Sequence, residues 1–297
     1  MPTHWLFTHH SSTSATPQIK GQLIDASPLL LTLRNPWVAD SVFMGKIYTA
    51  MTIAMMLVVY PDVLDPNYRA HVLTDTSAAV IYLLLPLLFT PFIGYRLNYV
   101  KGLSSIYLNR STQKLYFQRF SQLIVYDWRQ TAGGIMKRTE FGGASFSTQY
   151  ALALAPRRSD GTLHQKDCLW IDSNEPTAPD IKHVAEVWEY LRHFMDHGPD
   201  KLPSPSEPNW WHRPLHAICL PPSEAWRHYA PWRTGEPGEM QGKKNWQLPF
   251  WAVLFPYNFS LAVCWYLICR AFNVHAAPAP PEAFEEAPIK PGIRKRS

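Results

Sequence analysis

Charge disappears from this chain in three places. Between Val42 and Tyr60 (VFMGKIYTAMTIAMMLVVY) Lys46 is the only charged residue, and between Thr76 and Tyr95 (TSAAVIYLLLPLLFTPFIGY) there is none. A third uncharged stretch, Leu248 to Cys269, lies between Lys244 and Arg270. About 20 residues at ~1.5 Å rise cover a hydrocarbon core ~30 Å thick, so each stretch is predicted to be a transmembrane helix. The first two make an N-terminal helical hairpin, with the Lys46 stem reaching back to the interface. Pro249 and Pro256 interrupt the third stretch, and Asn258 sits near its middle. The sequence therefore predicts a kinked spanning helix there, with a re-entrant or interfacial hairpin as the alternative. Trp246, Trp251, Trp265 and Tyr266 cluster toward its ends, as interfacial aromatics do.

Between the second and third stretches the period changes from none to two. Leu103–Leu108, Lys114–Phe120, Gln122–Tyr126, Arg129–Lys137, Ser145–Ala155 and His164–Ile171 are rich in β-branched and aromatic residues and read as short strands. The polar cluster Asn109-Arg110-Ser111-Thr112 predicts a hairpin turn between the first two. The period then becomes helical. Thr177-Ala178-Pro179-Asp180 is a helix start, and Ile181, Val184, Trp188, Leu191 and Met195 share one face. Lys182, Glu186, Glu189 and Arg192 are expected on the solvated face, and the helix (residues 179–197) stops at Gly198-Pro199. Antiparallel strands closed by one amphipathic helix make an α+β domain over residues 96–200.

Residues 201–247 are rich in Pro and Trp, which argues against long helices. Trp210, Trp211, Trp226 and Trp232, with Arg227 among them, are too many for a plain linker. The alternatives are packing onto the β-domain or the membrane surface, or a partner-binding platform, since Trp and Arg are favoured at binding hot spots. Residues 1–41 are expected to be a flexible cytoplasmic N-terminus and residues 270–297 a disordered tail, both being proline-rich and poor in aliphatic residues.

Charge then orients the chain. The connection DVLDPNYRAHVLTD is acidic, whereas Arg96, Lys101, Arg110 and Lys114 follow the second stretch and Arg233, Lys243 and Lys244 precede the third. By the excess of lysine and arginine, the central region is cytoplasmic. A spanning third stretch then puts the tail outside, although it ends in Lys290, Arg294, Lys295 and Arg296; a re-entrant one removes that conflict. A reporter enzyme fused to Ser297 is expected to read as outside. The composition agrees with a divided chain: 17% of residues are charged, below the usual quarter, while mean hydropathy is -0.18. A net charge of +5 suits anionic headgroups, and no nucleic-acid reader motif accompanies it.

The run IYLNRSTQKLYFQR, then VYDWRQT, then the closing helix resembles a bacterial pleckstrin-homology-like (PH-like) domain. The order of two spans, such a domain and a late apolar segment is similar to an uncharacterised family of bacterial inner-membrane proteins whose members are often encoded near type VI secretion toxins. The resemblance implies an α+β membrane protein: a transmembrane hairpin, a PH-like antiparallel β-domain with its helix, and a third transmembrane helix. It implies an immunity or accessory protein and supplies no catalytic residues.

Chemistry is sparse. Four cysteines include no CxxC pair, and His193 and His197, one helical turn apart, lack an HExxH context. No phosphate loop, GxSxG or GxGxxG motif is present. No cofactor, metal or catalytic site is expected. The leading expectation is a non-catalytic protein that binds a protein partner at the bilayer, which the resemblance implies is a toxin or secretion component. The alternatives are a lipid-sensing module, with Lys101, Arg110, Lys114 and Arg119 contacting headgroups, and a membrane enzyme or transporter subunit. The last predicts an ionisable residue inside a span.

Overall fold

The alternating runs between residues 103 and 172 form strands, and three more come from residues 3–33, which the sequence predicts to be flexible. The computed structural model describes residues 3–66, 77, 80, 84–141, 146–164, 167–175, 180–205 and 210–286. Two units emerge. The first joins residues 1–36, 104–207 and 278–297, and the second joins residues 37–103 and 208–277.

The first unit is mixed α+β. Its strands are β1 (Thr3–Thr8), β2 (Leu23–Ala26), β3 (Leu30–Leu33), β4 (Ile106–Asn109), β5 (Lys114–Arg119), β6 (Gln122–Asp127), β7 (Thr131–Phe141), β8 (Phe146–Pro156) and β9 (Leu169–Asp172). One antiparallel sheet has the order β2-β3-β4-β5-β6 and the other β1-β7-β8-β9. Alternation sets the faces. Leu31, Leu33, Ile106, Leu108, Leu115 and Phe117 from one sheet meet Ile135, Leu152, Leu154, Leu169 and Ile171 from the other in a single core. The predicted helix, here α3 (Lys182–His197), closes it with Val184, Val187, Trp188, Leu191 and Phe194. Trp188 stacks on Phe7 at 5.7 Å and on Trp128 at 5.2 Å between ring centroids. A β-carbon on Gly133 would lie 2.6 Å from the Trp188 ring, so this contact needs a glycine.

Two expectations for this helical segment fail. Ile181 is exposed, whereas Glu186 and Glu189 are buried. The N-terminal segment between β1 and β2 lies over that side of the helix. The Thr13 N–H donates to Glu189 Oε1 at 2.5 Å and the Gln18 N–H donates to the Glu186 carbonyl at 3.3 Å. Asn174 Nδ2 satisfies the Glu186 carboxylate at 3.0 Å, and Arg192 satisfies Glu189 at 2.7 Å. A charged stripe that reads as solvated is thus covered by a distant segment. Residues 176–179, most of the predicted helix start, lie outside the described residues.

The tail also departs from the prediction. Pro281–Phe284 forms a 3-10 turn, and Ala283 packs against Tyr107 and Tyr116 on the outer side of β4 and β5. Asn109 Nδ2 donates to the carbonyls of Ala283 at 2.9 Å and Glu285 at 2.8 Å. Residues 278–286 therefore belong to the β-domain and are ordered on it. Proline suits this segment because it hydrogen-bonds through carbonyls and needs few N–H donors.

The second unit is helical. Its longer helices are α1 (Pro36–Leu64), α2 (Thr90–Gly102), α4 (Pro222–Tyr229) and α5 (Leu248–Ala271). Among the described residues two helices, spanning Pro36–Val59 and Asn245–Ala271, are long and apolar enough to cross a membrane. The second predicted span is only half visible: residues 76, 78–79 and 81–83 lie outside the described residues, and its visible end continues through α2 past Arg96. Helix α1 packs on α5 where Gly45 faces Trp265, whose ring would lie 2.3 Å from an added β-carbon. A small residue lets two helices approach this closely. Val42, Ile93, Leu97, Val100, Trp265 and Cys269 make the shared core. Lys46 does not reach back to an interface: it is buried, and its Nζ donates to the Pro214 carbonyl at 2.9 Å.

Candidate functional site

The Trp-rich segment folds onto α5 as an aromatic cluster with a buried cation at its centre. Prolines cut the segment into short pieces: turns at Trp210–His212 and Arg213–His216, helix α4, and a last turn at Glu239–Gly242. Trp210 is 2% exposed. Its ring stacks on His228 at 4.0 Å and meets Trp211 and Trp251 edge-on, each at 5.5 Å. Gly242 lies so close that a β-carbon there would be 2.1 Å from the Trp210 ring.

Lys243 is fully buried, with its ammonium 5.6 Å from the centre of the Trp210 ring. It donates to Glu239 Oε1 at 2.7 Å and to the carbonyls of Arg227 at 2.8 Å and Trp232 at 3.1 Å, which uses all three of its donors. Glu239 in turn accepts the backbone N–H groups of Thr234 at 2.9 Å and Gly235 at 2.8 Å. Burial alone would raise the Glu239 carboxyl. The bonds from Lys243, Thr234 and Gly235 outweigh it and hold the group at about 2. His228 is pushed down to about 3, first by burial and then by the charges of Lys243 and Arg213, so its ring is neutral at pH 7.

The expected partner-binding residues therefore separate by role. Trp210 is interior, an anchor for the local fold. Trp211, Trp226 and Trp232 present exposed faces, and the Arg227 side chain is exposed. Trp226 is held edge-on by Phe255 at 4.9 Å, Phe259 at 5.3 Å and Trp232 at 5.6 Å. With exposed Trp246 and Phe250 they form an aromatic rim along the N-terminal half of α5. Trp251 and Trp265, predicted to be interfacial, are buried instead; Trp265 Nε1 donates to the Ile218 carbonyl at 2.8 Å.

The three expected headgroup contacts in the first unit, Arg110, Lys114 and Arg119, are not brought together. Lys101 belongs to α2 in the second unit and the other three to the first. Lys114 and Arg119 stand at opposite ends of β5, ~17 Å apart at ~3.3 Å per residue, and parity puts them on opposite faces. Arg110 lies over Gly198, in the bend that ends α3. His193 and His197 lie with ring centroids 4.6 Å apart on α3. Sequence reasoning missed the Glu239–Lys243 pair, although an i, i+4 acid–base spacing was there to be read. It also missed a basic cleft at the end of the four-stranded sheet, whose residues are far apart in the sequence.

A model of DUF6708, a family of unknown function, matches residues 82–285. The chain belongs to this family. The DUF6708 match takes in β4 to β9, α2 to α5 and the tail turn, so it crosses both units. It leaves out β1 to β3 and α1, although β3 pairs with β4 and β1 with β7. No curated protein and no solved structure matches the chain.

Proposed function

We propose that this DUF6708 protein is a non-catalytic, membrane-anchored protein. It holds a PH-like β-domain at the cytoplasmic face of a bacterial inner membrane, where the domain binds a protein partner. Two antiparallel sheets closed by a C-terminal helix support the PH-like reading.

The observation that carries the anchoring is where the chain leaves and rejoins the β-domain. Strands β3 and β4 are hydrogen-bonded neighbours, with Leu33 opposite Ile106. Chain that departs at Pro36 must therefore return to the same side by Ser104. If α1 crosses the bilayer, a second crossing is needed in between, and the apolar segment 76–95 supplies it. The same count downstream gives the opposite answer. The chain leaves the first unit after Glu207 and rejoins it at Pro278, and its tail packs on β4 and β5. Among the described residues between those points, only α5 is long and apolar enough to cross. One crossing would strand the tail on the wrong side. Helix α5, continuous from Leu248 to Ala271, therefore lies along the bilayer surface, and the aromatic rim marks its interfacial level. The basic tail then stays inside, in keeping with its charge.

The partner surface is edge strand β6. Among the described residues it pairs only with β5, and it exposes Leu123 and Val125, with Phe120 at the adjoining turn. An unpaired edge with apolar side chains accepts a strand of another protein. If the partner is a type VI secretion toxin, as the resemblance implies, occlusion requires only a complementary surface, and the role is immunity or accessory. Cells expressing the chain and challenged with a toxin encoded beside it are expected to survive. Leu123→Lys with Val125→Lys should abolish protection without releasing the protein from membranes. Death of cells carrying the unaltered chain would reject the immunity role.

A further inference from the structure

Three strand ends meet in the first unit. β1 stops at Thr8, β7 starts at Thr131 and β8 stops at Pro156, with Thr8 opposite Ala132 and Thr131 opposite Pro156. The chain turning away from these ends leaves a cleft of about 310 Å³. Its walls carry His9 and His10 after β1, Arg129 before β7, and Arg157 and Arg158 after β8.

The backbone fixes each of these positions. The Thr8 N–H donates to Ser11 Oγ at 2.8 Å and the Ser11 N–H donates back to the Thr8 carbonyl at 2.9 Å, which closes the turn holding both histidines. Asp127 Oδ1 accepts the Arg129 N–H at 2.9 Å, and the Arg157 N–H donates to the Gln130 carbonyl at 2.9 Å. Arg158 is neutralised by Asp167 at 2.6 Å. Among the described residues no carboxylate pairs with the guanidinium groups of Arg129 or Arg157. The excess positive charge is felt by His9, whose proton affinity is lowered by burial and then by His10 and Arg129, against weaker opposing pulls from Asp196 and Asp127.

We propose that this cleft binds a phosphate monoester, its phosphoryl group held between Arg129 and Arg157 with the Thr8 hydroxyl and the two imidazoles around it. Two unpaired guanidinium forks and donors on several sides suit a tetrahedral dianion with acceptors on every face. A planar carboxylate would satisfy one fork and leave the other charge unmatched. The volume lies at the small end of ligand sites, enough for a phosphoryl group with a short appendage. The same monoester chemistry occurs in soluble metabolites and in the headgroup of phosphatidic acid.

The test is isothermal titration of the full chain in an uncharged detergent at low salt. The probes are glycerol 3-phosphate, dihexanoyl phosphatidic acid and, as the zwitterionic phosphodiester control, dihexanoyl phosphatidylcholine. Binding of at least one monoester with a dissociation constant below about 1 mM is expected. Arg129→Gln and Arg157→Gln should each weaken it about tenfold or more, the scale of one charged hydrogen bond. Arg157→Lys should fall between, and Lys182→Gln, at the exposed start of α3, should change nothing. Binding of both monoesters assigns the site to the free ester as well as the lipid, and binding of phosphatidic acid alone assigns it to the lipid headgroup. Both arginines are exposed, so unchanged circular dichroism is expected for their variants. No binding of either monoester, equal affinity for phosphatidylcholine, or undiminished binding in both Gln variants would overturn the proposal.

Discussion

At the scale of single residues, the buried ion pair and the buried imidazole give the second unit its strongest electrostatic dependences. Lys243 has no water to fall back on, so removing it leaves Glu239 charged in a buried site. Lys243→Met is expected to destabilise by about 3 kcal/mol or more, whereas Lys243→Met combined with Glu239→Leu should recover most of that. Thermal melts of the detergent-solubilised chain check both. The pH dependence follows from the same two neighbours. His228 is neutral when folded down to about 3, while an unfolded histidine takes up its proton near 6.5. The unfolded state then binds more protons, so stability falls as pH drops below 6.5, by up to ~1.4 kcal/mol per pH unit, and is unaffected above it. Glu239 adds a second loss on acidification from about 4.5 toward about 2, because its folded carboxyl resists protonation. His228→Phe should remove the first window and keep the second, as read from melting temperature against pH. The sequence could not have shown either window. Nothing in the run EMQGKK says that Lys243 points inward, because the groups that satisfy it come from Arg227, Trp232 and Glu239 at once.

At the scale of elements, periodicity was legible where an element makes its own face. The strands from β4 to β8 and the apolar side of α3 follow from alternation and three-four spacing, and the buried positions agree. The N-terminal strands were not legible. THWLFT and LLTL are short and flanked by polar residues, and each is a strand because a strand distant in sequence, β7 or β4, offers it a ladder; LIDA then pairs with LLTL. That dependence gives two predictions. Deleting residues 1–22 removes β1 from β7 and uncovers Glu186 and Glu189 on α3, so the β-domain should lose protease resistance even though the deletion lies outside the DUF6708 match. Gly133→Ala pushes a methyl into the Trp188 ring and should cost about 1–3 kcal/mol in denaturant unfolding, a larger effect than alanine has in an open strand position.

At the scale of the whole molecule, the tail and the sheet pairing support the proposed topology. Reporters fused at Ser297 and inserted after Leu202 are both expected to read as cytoplasmic, and a reporter in the connection at residues 67–75 as external. External phosphatase activity at Ser297 would mean that α5 crosses the bilayer once and would reject this topology. The sequence by itself determined the apolar segments, the α+β character of the middle and the inward-facing charge bias. Residue type alone carries that information, since transfer from water depends on the side chain and its spacing. Only the tertiary structure decided that the N-terminus completes both sheets, that the tail returns to β4 and β5, that Lys46 and Lys243 are buried, and that Arg129 and Arg157 share a cleft. Each of these depends on which distant backbone groups are left to satisfy. Such pairing is settled by the folded chain as a whole, and a local pattern of apolar and polar residues does not encode it.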